Sequence, residues 1–273
     1  MEPYSPYNSK NIPLCAEDIN SILRTHGLPN YSIQSPKLFQ QAMVHSTYVK
    51  RTSYVALNGE PIELAKCPPG VLDLQQTSYE QLEFVGDSML GCVVANYLQE
   101  RFPDENPGFL TNTRKLLVRN RTLGMLARDN LRLDKYFLIS KHVEDMKVDH
   151  GRQNIEKLGD VFEAFIAALW FDSNKNFDTV YRFIVTTIET YLDIPLLIRE
   201  DDNFKDRMQK HCQQVLHYTP VYKIAPSSDE KACIFVMTVC SPTGEVLGTG
   251  TSNTKKNAEQ LACKNALQKW GVI

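Results

Sequence analysis

Apolar residues recur every three or four positions over most of the first 192 residues, the spacing of helices with one buried face. The pattern predicts six helices, at Ala16–Arg24, Pro36–Tyr48, Tyr79–Phe102, Thr113–Asp129, Asn154–Asp172 and Phe177–Leu192. No alternating strand pattern occurs between residues 16 and 192. We therefore expect residues 15–192 to form an all-α domain, an antiparallel helix bundle.

Two stretches of this part lack the helical period. Residues 1–14 begin with a segment rich in Pro, Tyr, Ser and Asn and are predicted to be a loose arm. Residues 51–78 contain Asn58-Gly59 and Pro68-Pro69-Gly70, which interrupt regular elements. Loops of this length are uncommon in compact domains, so we interpret residues 51–78 as a functional or lineage-specific insertion of unassigned role.

The pattern changes after residue 192. Residues 193–203 mix Pro195 with charged side chains and are predicted to be a linker. The elements predicted beyond it are a helix, three β-type runs and a final helix, at Phe204–Leu216, Val221–Ile224, Ile234–Val239, Val246–Thr251 and Lys255–Trp270. This α-β-β-β-α order predicts a small α+β domain over residues 204–273.

The two parts also differ in net charge. Residues 202–273 hold nine Lys or Arg and six Asp or Glu, a net charge of +3. Residues 1–201 hold 21 and 26, a net charge of −5. The whole-chain charge of −2 thus conceals a mildly basic C-terminal part, and the asymmetry predicts a different partner for each part.

The composition predicts an intracellular protein, placed in the cytoplasm with the nucleus as the alternative. Seven dispersed cysteines without a C-x-x-C pair indicate reduced thiols and not a disulfide framework or zinc site. The sequence has no run of about 18 apolar residues, so we expect no membrane span. The N-terminus lacks the pattern of a secretory signal. We expect neither a membrane partner nor a small-molecule cofactor.

Carboxylates form one stripe on the predicted helix over residues 79–102. Glu80, Glu83 and Asp87 follow one another at i, i+3 and i+7. Asp160 and Glu163 repeat the i, i+3 spacing in a helix so apolar that it must be substantially buried. The alternative, that these residues lie on solvated helix faces, stays open here because the sequence cannot show that the two helices meet.

If the helices meet, the carboxylates define a particular chemistry. Buried acidic groups need a partner, and four together cannot stay ionised without a cation. Oxygen ligands favour Mg²⁺ or Mn²⁺ over zinc or copper. Carboxylate-bound magnesium that also contacts phosphate is the usual equipment of sites that cleave phosphodiester bonds.

These segments resemble the ribonuclease III family. YEQLEFVGDSML is similar to the signature E-x-L-E-F-x-G-D-x-x-L, and EKLGDVFEAFIAALWFDS to the second motif, D-x-x-E-A-x-x-x-A. AMVHSTYV and GFLTNTRKLLVRNRTLGMLA resemble two further family segments, so that the resemblance covers about residues 15–192. The compact layout resembles bacterial and large-DNA-virus members.

The resemblance implies a set of catalytic residues. Glu83, Asp87, Asp160 and Glu163 would hold magnesium, for which manganese can substitute, and activate water, with Glu80 in support. The implied activity is that of an endoribonuclease that hydrolyses double-stranded RNA and leaves short 3′ overhangs.

The resemblance also implies a homodimer, with Phe84 packing into the partner subunit.

One position departs from the family pattern. Many relatives place a glutamate immediately before the glycine that opens the helix between the motifs, and this chain has Pro107 there, with Glu105 nearby.

The C-terminal part resembles a double-stranded-RNA-binding domain in FKDRMQKHCQQ and GTGTSNTKKNAEQLACKNAL. Lys255 and Lys256 open its final helix, where ammonium groups and helix N-terminal amides favour phosphate. The resemblance implies that Gln209 contacts 2′-hydroxyls in the minor groove. The loop Ser227–Ala232 departs from the family pattern. Its acidic residues predict weaker binding, which Lys231 would partly offset.

Two functions fit these features. One is an active endonuclease, and the other is a non-catalytic double-stranded-RNA-binding or ribosome-associated protein that retains the fold. The acidic quartet favours the enzyme, because a scaffold has no physical need for buried carboxylates. The natural RNA stays open, since ribosomal precursor processing, small-RNA production and suppression of RNA silencing would use the same chemistry.

Overall fold

The computed structural model describes residues 3–55, 59–146, 151–199, 203–228 and 234–273. The chain divides into two compact units, Met1–Leu197 and Ile198–Ile273. The α-helices that begin in the first unit are α1 (Ala16–Thr25), α2 (Pro36–Ala42), α3 (Glu80–Arg101), α4 (Pro107–Val118), α5 (Asn120–Met125), α6 (Lys141–Glu144), α7 (Ile155–Asp172), α8 (Phe177–Tyr191) and α9 (Ile194–Arg199). The second unit contains α10 (Phe204–Val215), β1 (Val221–Ile224), β2 (Phe235–Cys240), β3 (Val246–Ser252) and α11 (Lys255–Lys269). The predicted fold class, a helical domain followed by an α+β domain, is confirmed.

Helix α7 is the centre of the first unit. Asn154 caps its N-terminus by accepting a hydrogen bond from the backbone N of Lys157 at 3.0 Å. Apolar residues lie all around the helix, as expected for one enclosed by neighbours. It packs against α2, α3, α5 and α8, with Phe162 and Phe165 fully buried.

Helices α3 and α7 touch backbone to backbone. A Cβ atom built on Gly86 would lie only 1.8 Å from the backbone O of Glu163. Any side chain at this position would therefore collide with a neighbour that cannot rotate away. The glycine of the first motif thus allows α3 to approach α7 at the turn that carries Glu163.

The helix predicted over Thr113–Asp129 is wrong in its bounds. The structure begins α4 at Pro107, where proline suits the first helical turn and the side chain of Asn106 accepts from the backbone N of Phe109 at 3.0 Å. An extended Arg119 (φ −70°, ψ 141°) then separates α4 from α5. Pro107 is therefore the first residue of a helix, and the predicted helix begins six residues too late.

Two further expectations need correction. The helix predicted to reach Tyr48 ends at Ala42 and is followed by a single short turn over Ser46–Tyr48. The predicted linker, residues 193–203, contains α9 in its described part.

The prediction of a loose N-terminal arm is wrong for residues 3–14. The backbone of Tyr4 donates to Glu63 O at 2.8 Å and accepts from Ala65 N at 2.9 Å. Tyr7 and Leu14 are buried. The polar residues that suggested looseness satisfy backbone groups instead, because the side-chain amide of Asn8 donates to Ile139 O. The described part of residues 51–78 has neither a helix nor a multi-residue strand.

The second unit is a three-stranded antiparallel sheet with α10 and α11. The strand order is β1-β2-β3, and α11 packs against β2, β3 and α10. A Cβ on Gly250 would lie 2.3 Å from the backbone N of Ala262, so that glycine lets α11 lie close to β3. Met208, Val239 and Leu267 are among the buried residues of the resulting core.

The first prediction concerns the close approach of α3 and α7 at Gly86. Gly86→Ala should destabilise the first unit by about 1–3 kcal/mol or more, because the new methyl group meets backbone atoms and forces α3 away from α7. Gly91→Ala in the same helix is the matched control. A Cβ there meets no atom within 4 Å, and alanine should stabilise the helix by about 0.5–1 kcal/mol. Thermal unfolding followed by circular dichroism would detect the difference, and equal melting temperatures would contradict the proposed constraint.

Candidate active site

The crossing of α3 and α7 brings three carboxylates together. Carboxylate oxygens of Glu83, Asp160 and Glu163 all lie within 4.8 Å of one another. Glu83 comes from α3, and the other two lie one turn apart on α7. In the part of the chain that the structure describes, this is the one group of three or more acidic, His or Cys side chains close enough to share a metal ion. We call these three residues the acidic cluster.

The structure places the other two predicted acidic residues differently. Asp87 lies one turn beyond Glu83 and is exposed, at the margin of the acidic cluster, but close enough to raise the pKa of Glu163. Glu80 is exposed and accepts a hydrogen bond from Ser78 Oγ at 3.0 Å. The catalytic roles of all five residues remain predictions.

Burial raises the pKa values of all three residues of the acidic cluster, and repulsion from neighbouring carboxylates adds to the rise for Glu83 and Glu163. Glu163 is only 5% exposed. Its burial, followed by the charges of Asp87, Asp160 and Glu83, raises its pKa from 4.5 to about 8. The pKa values of Glu83 and Asp160 are raised as well, mainly by burial. Such a site favours a bound proton or a bound cation over three free negative charges.

Asp160 is held by two donors that the sequence did not predict. Asn120 Nδ2 donates to Asp160 Oδ1 at 2.7 Å, and the Tyr79 hydroxyl donates to Oδ2 at 3.3 Å. Both bonds hold the pKa of Asp160 lower than burial alone would set it. Tyr79 directly precedes the acidic stripe, but its contact with α7 depends on the helix crossing. The apolar pattern places Asn120 inside a continuous helix, and only the break at Arg119 would have singled it out.

The segment AMVHSTYV, which resembles a family segment, packs against Tyr79. The ring of His45 lies 6.0 Å from that of Tyr79 and 5.8 Å from that of Phe137, between centroids. The backbone N of Tyr79 donates to Val44 O at 2.9 Å. His45, Val44 and Phe137 thus enclose Tyr79, whose hydroxyl contacts Asp160 of the acidic cluster.

The predicted RNA-binding residues of the second unit lie on its helices. Lys255 and Lys256 are exposed in the first turn of α11, after Thr254, whose side chain caps the helix. Lys255 Nζ also lies 5.4 Å from the centre of the Phe235 ring. Gln209 is exposed on α10, and Lys231 lies outside the described residues.

Phe84, the predicted dimer residue, is 78% exposed on α3, an unusual position for a large apolar side chain. Among the described residues, no helix has the length and apolar character needed to cross a membrane.

Comparison with known families assigns each unit. Residues 80–174 match the Ribonuclease III domain, and this stretch contains every predicted carboxylate. Residues 204–270 match the double-stranded RNA binding motif. The class of protein is therefore a ribonuclease III nuclease domain joined to a double-stranded-RNA-binding domain.

Individual relatives agree with both matches. The chain is 35% identical to Ribonuclease 3 of Acinetobacter baylyi over 196 residues, covering 70% of this chain and 81% of that protein. It is 31% identical over 238 residues to Ribonuclease 3 of Dehalococcoides mccartyi, covering 87% and 90%. The chain belongs to the ribonuclease III family. The family, fold class and enzyme class predicted from the sequence are confirmed.

A viral relative extends the similarity. The chain is 31% identical to the probable ribonuclease 3 of Acanthamoeba polyphaga mimivirus over 272 residues, or 98% of this chain, but it spans only 48% of that protein. The solved nuclease domain of ribonuclease III from Campylobacter jejuni aligns with a TM-score of 0.48 and 23% identity, over 64% of this chain and 97% of that one. Enzymes of the family generally depend on a divalent metal, and the acidic cluster is the matching feature here.

The second prediction concerns the dependence of stability on pH, which the raised pKa of Glu163 determines. Between pH 4.5 and about 8 the folded state holds a proton that the unfolded state has lost, so stability falls as pH rises. Without a divalent cation, the melting temperature of the first unit should therefore decrease from about pH 5 to about pH 9. Glu163→Gln should flatten that slope, because it removes the titrating group while keeping its shape.

Differential scanning calorimetry at several pH values, with a chelator present, would measure this slope. Asp104→Asn is the control, since Asp104 is exposed and lies outside the acidic cluster. A slope that is identical in the unmodified chain and in Glu163→Gln would contradict the shift.

Proposed function

We propose that this protein is an endoribonuclease that hydrolyses phosphodiester bonds in double-stranded RNA with Mg²⁺ and leaves short 3′ overhangs. The observation that carries the proposal is the acidic cluster, formed where α3 and α7 touch. The double-stranded RNA binding motif over residues 204–270 supports the substrate class. Under this proposal Glu83, Asp87, Asp160 and Glu163 are catalytic and Glu80 is supporting.

The donor set of the acidic cluster fits a hard divalent cation. It offers only carboxylate oxygens, which suit Mg²⁺ and Mn²⁺ and not softer metals. The raised pKa values of Glu83 and Glu163 reflect repulsion from neighbouring carboxylates as well as burial, and a cation would relieve that repulsion. A magnesium ion bound here would lower the pKa of a bound water and neutralise charge on the leaving oxygen. Mn²⁺ should substitute because it shares the same ligand preference.

The side chains of this chain prepare the site in complementary ways. Burial of Glu163 keeps bulk water, which would screen the charges, away from one side of the cluster. Tyr79 and Asn120 hold Asp160. Asp87, at the exposed margin of the cluster, is accessible to a bound RNA.

RNA affinity is proposed to come largely from the second unit. Three carboxylates repel phosphate until a cation binds, whereas Lys255 and Lys256 lie at a helix N-terminus that favours anions. Gln209 is the proposed minor-groove contact, and Lys231 is a further candidate.

Two properties of the whole protein follow from the same proposal. The exposed Phe84 side chain is the proposed contact of a homodimer, because association would bury its apolar surface. An intracellular location is also proposed, and the six cysteines that the structure describes as free thiols are consistent with a reducing compartment.

The third prediction tests catalysis. Asp87→Asn should reduce cleavage of a long RNA duplex by about 100-fold or more, because it removes a ligand charge without changing shape. It should bind the duplex at least as tightly as the unmodified chain, since one repulsive charge is gone. Asp104→Asn, the same change at an exposed position beyond α3, should cleave normally.

Single-turnover cleavage with Mg²⁺ and gel-shift binding would be measured side by side. Cleavage retained by Asp87→Asn would remove that residue from the site. An unmodified chain that binds duplex RNA but cleaves none with Mg²⁺ or Mn²⁺ would instead identify the non-catalytic alternative.

The fourth prediction tests RNA binding. Lys255→Ala combined with Lys256→Ala should weaken duplex binding and reduce the slope of log affinity against log salt by roughly two, since each phosphate that a lysine neutralises adds about 0.9 to that slope. Lys269→Ala, at the opposite end of α11, should leave the slope nearly unchanged. Fluorescence anisotropy across a salt series would measure the slopes. Equal slopes for both variants would place the RNA-binding surface elsewhere.

A further inference from the structure

We propose that Asn120 and Tyr79 are positioning residues that fix the two oxygens of Asp160 for a bound divalent cation. The inference rests on the proposed function, because it concerns the same site. It adds two neutral side chains from different parts of the chain to the four carboxylates. Its observable consequence is cation affinity, which can be measured without RNA.

The amide of Asn120 is fixed by two acceptors on α7. Nδ2 donates to Asp160 Oδ1 at 2.7 Å and to the backbone O of Glu156 at 3.3 Å. These acceptors lie one helical turn apart, so both hydrogens of the amide are used. Reversing the amide would point its oxygen at two other oxygens, which determines its orientation.

The backbone positions Asn120 as firmly as its side chain does. The chain is extended at Arg119, and α5 begins at Asn120. A Cβ built on Gly159 would lie 2.9 Å from the Cα and 2.9 Å from the O of Asn120. The absence of a side chain at Gly159, directly before Asp160, therefore lets Asn120 lie against α7.

Tyr79, which directly precedes α3, holds the other carboxylate oxygen of Asp160. Its hydroxyl donates to Asp160 Oδ2 at 3.3 Å, while the residue is only 5% exposed and its ring packs with those of His45 and Phe137. Its backbone N is bonded to Val44 O. A ring enclosed in this way can move its hydroxyl little.

The two donors act on one carboxylate, one on each oxygen. The terminal torsion of an aspartate is intrinsically broad, so an unsupported Asp160 would sample many orientations. With one lone pair of each oxygen occupied, the plane of the carboxylate is fixed, and the remaining lone pairs are available beside Glu83 and Glu163. Partners of this kind orient a ligand before the metal arrives, and removing them typically weakens metal affinity by about 10–100-fold.

The test measures Mn²⁺ binding to the full chain without RNA, from the electron paramagnetic resonance signal of the free ion. Tyr79→Phe removes one hydroxyl, and Asn120→Ala removes one amide. Each should raise the Kd for Mn²⁺ by about 10-fold. Tyr97→Phe is the matched control, because Tyr97 lies on α3 and its hydroxyl donates to Glu189, away from the acidic cluster. Its Kd should be unchanged.

A purely structural role would give a different result. The variants would then melt at lower temperature without Mn²⁺ but bind the ion with unchanged Kd, and that outcome overturns the inference. If Asn120→Ala fails to fold, Asn120→Ser and Tyr79→Phe decide the question. An unmodified chain that binds no Mn²⁺ contradicts the proposed function itself, whereas an unmodified chain and variants that bind equally contradict only the positioning role.

Discussion

The contact between the backbones of α3 and α7 at Gly86 and Glu163 governs the geometry of the nuclease unit. A helix pair separated by ordinary side chains has axes about 8–10 Å apart, whereas a glycine at the contact lets the helices come closer. Here the approach leaves no room for even one methyl group. Because Glu83 comes from one helix and Asp160 and Glu163 from the other, the acidic cluster exists only while this contact holds. Packing and chemistry therefore share one constraint.

That arrangement carries an electrostatic cost that the rest of the unit must offset. Helix α7 is enclosed by apolar neighbours, and it nevertheless carries a carboxylate that burial drives toward its neutral form. Tyr79, held by aromatic packing, and Asn120, held close to α7, donate hydrogen bonds to Asp160. Asp160 is one of the three carboxyl groups of the acidic cluster. The stability of the unit and its affinity for a cation are consequently linked properties.

Sequence reasoning is strongest where one helix contains the whole pattern. The i, i+3 spacing of Asp160 and Glu163 predicts a shared face without knowledge of any neighbour. It is weakest where two distant segments meet. Asn120 has no periodic signal, and its contact with Asp160 depends on the backbone break at Arg119 and on Gly159, far along the chain. The prediction for the N-terminal arm is wrong for a similar reason, since the residues that order Tyr4 and Asn8 belong to distant segments.

The ordered arm has a consequence for the long loop of residues 51–78. A long loop without regular structure has a large chain entropy when only its two ends are fixed. Tyr4 pairs with Glu63 and Ala65 near the middle of this loop, while Asn8 ties the arm to Ile139 on the body of the unit. These bonds divide the loop into two shorter segments, as a cross-link would, and the packing of Tyr7 in one apolar cluster with Leu64 and Leu74 supports the division. The arm of residues 3–14 therefore lowers the chain entropy of a loop that is distant from it in the sequence.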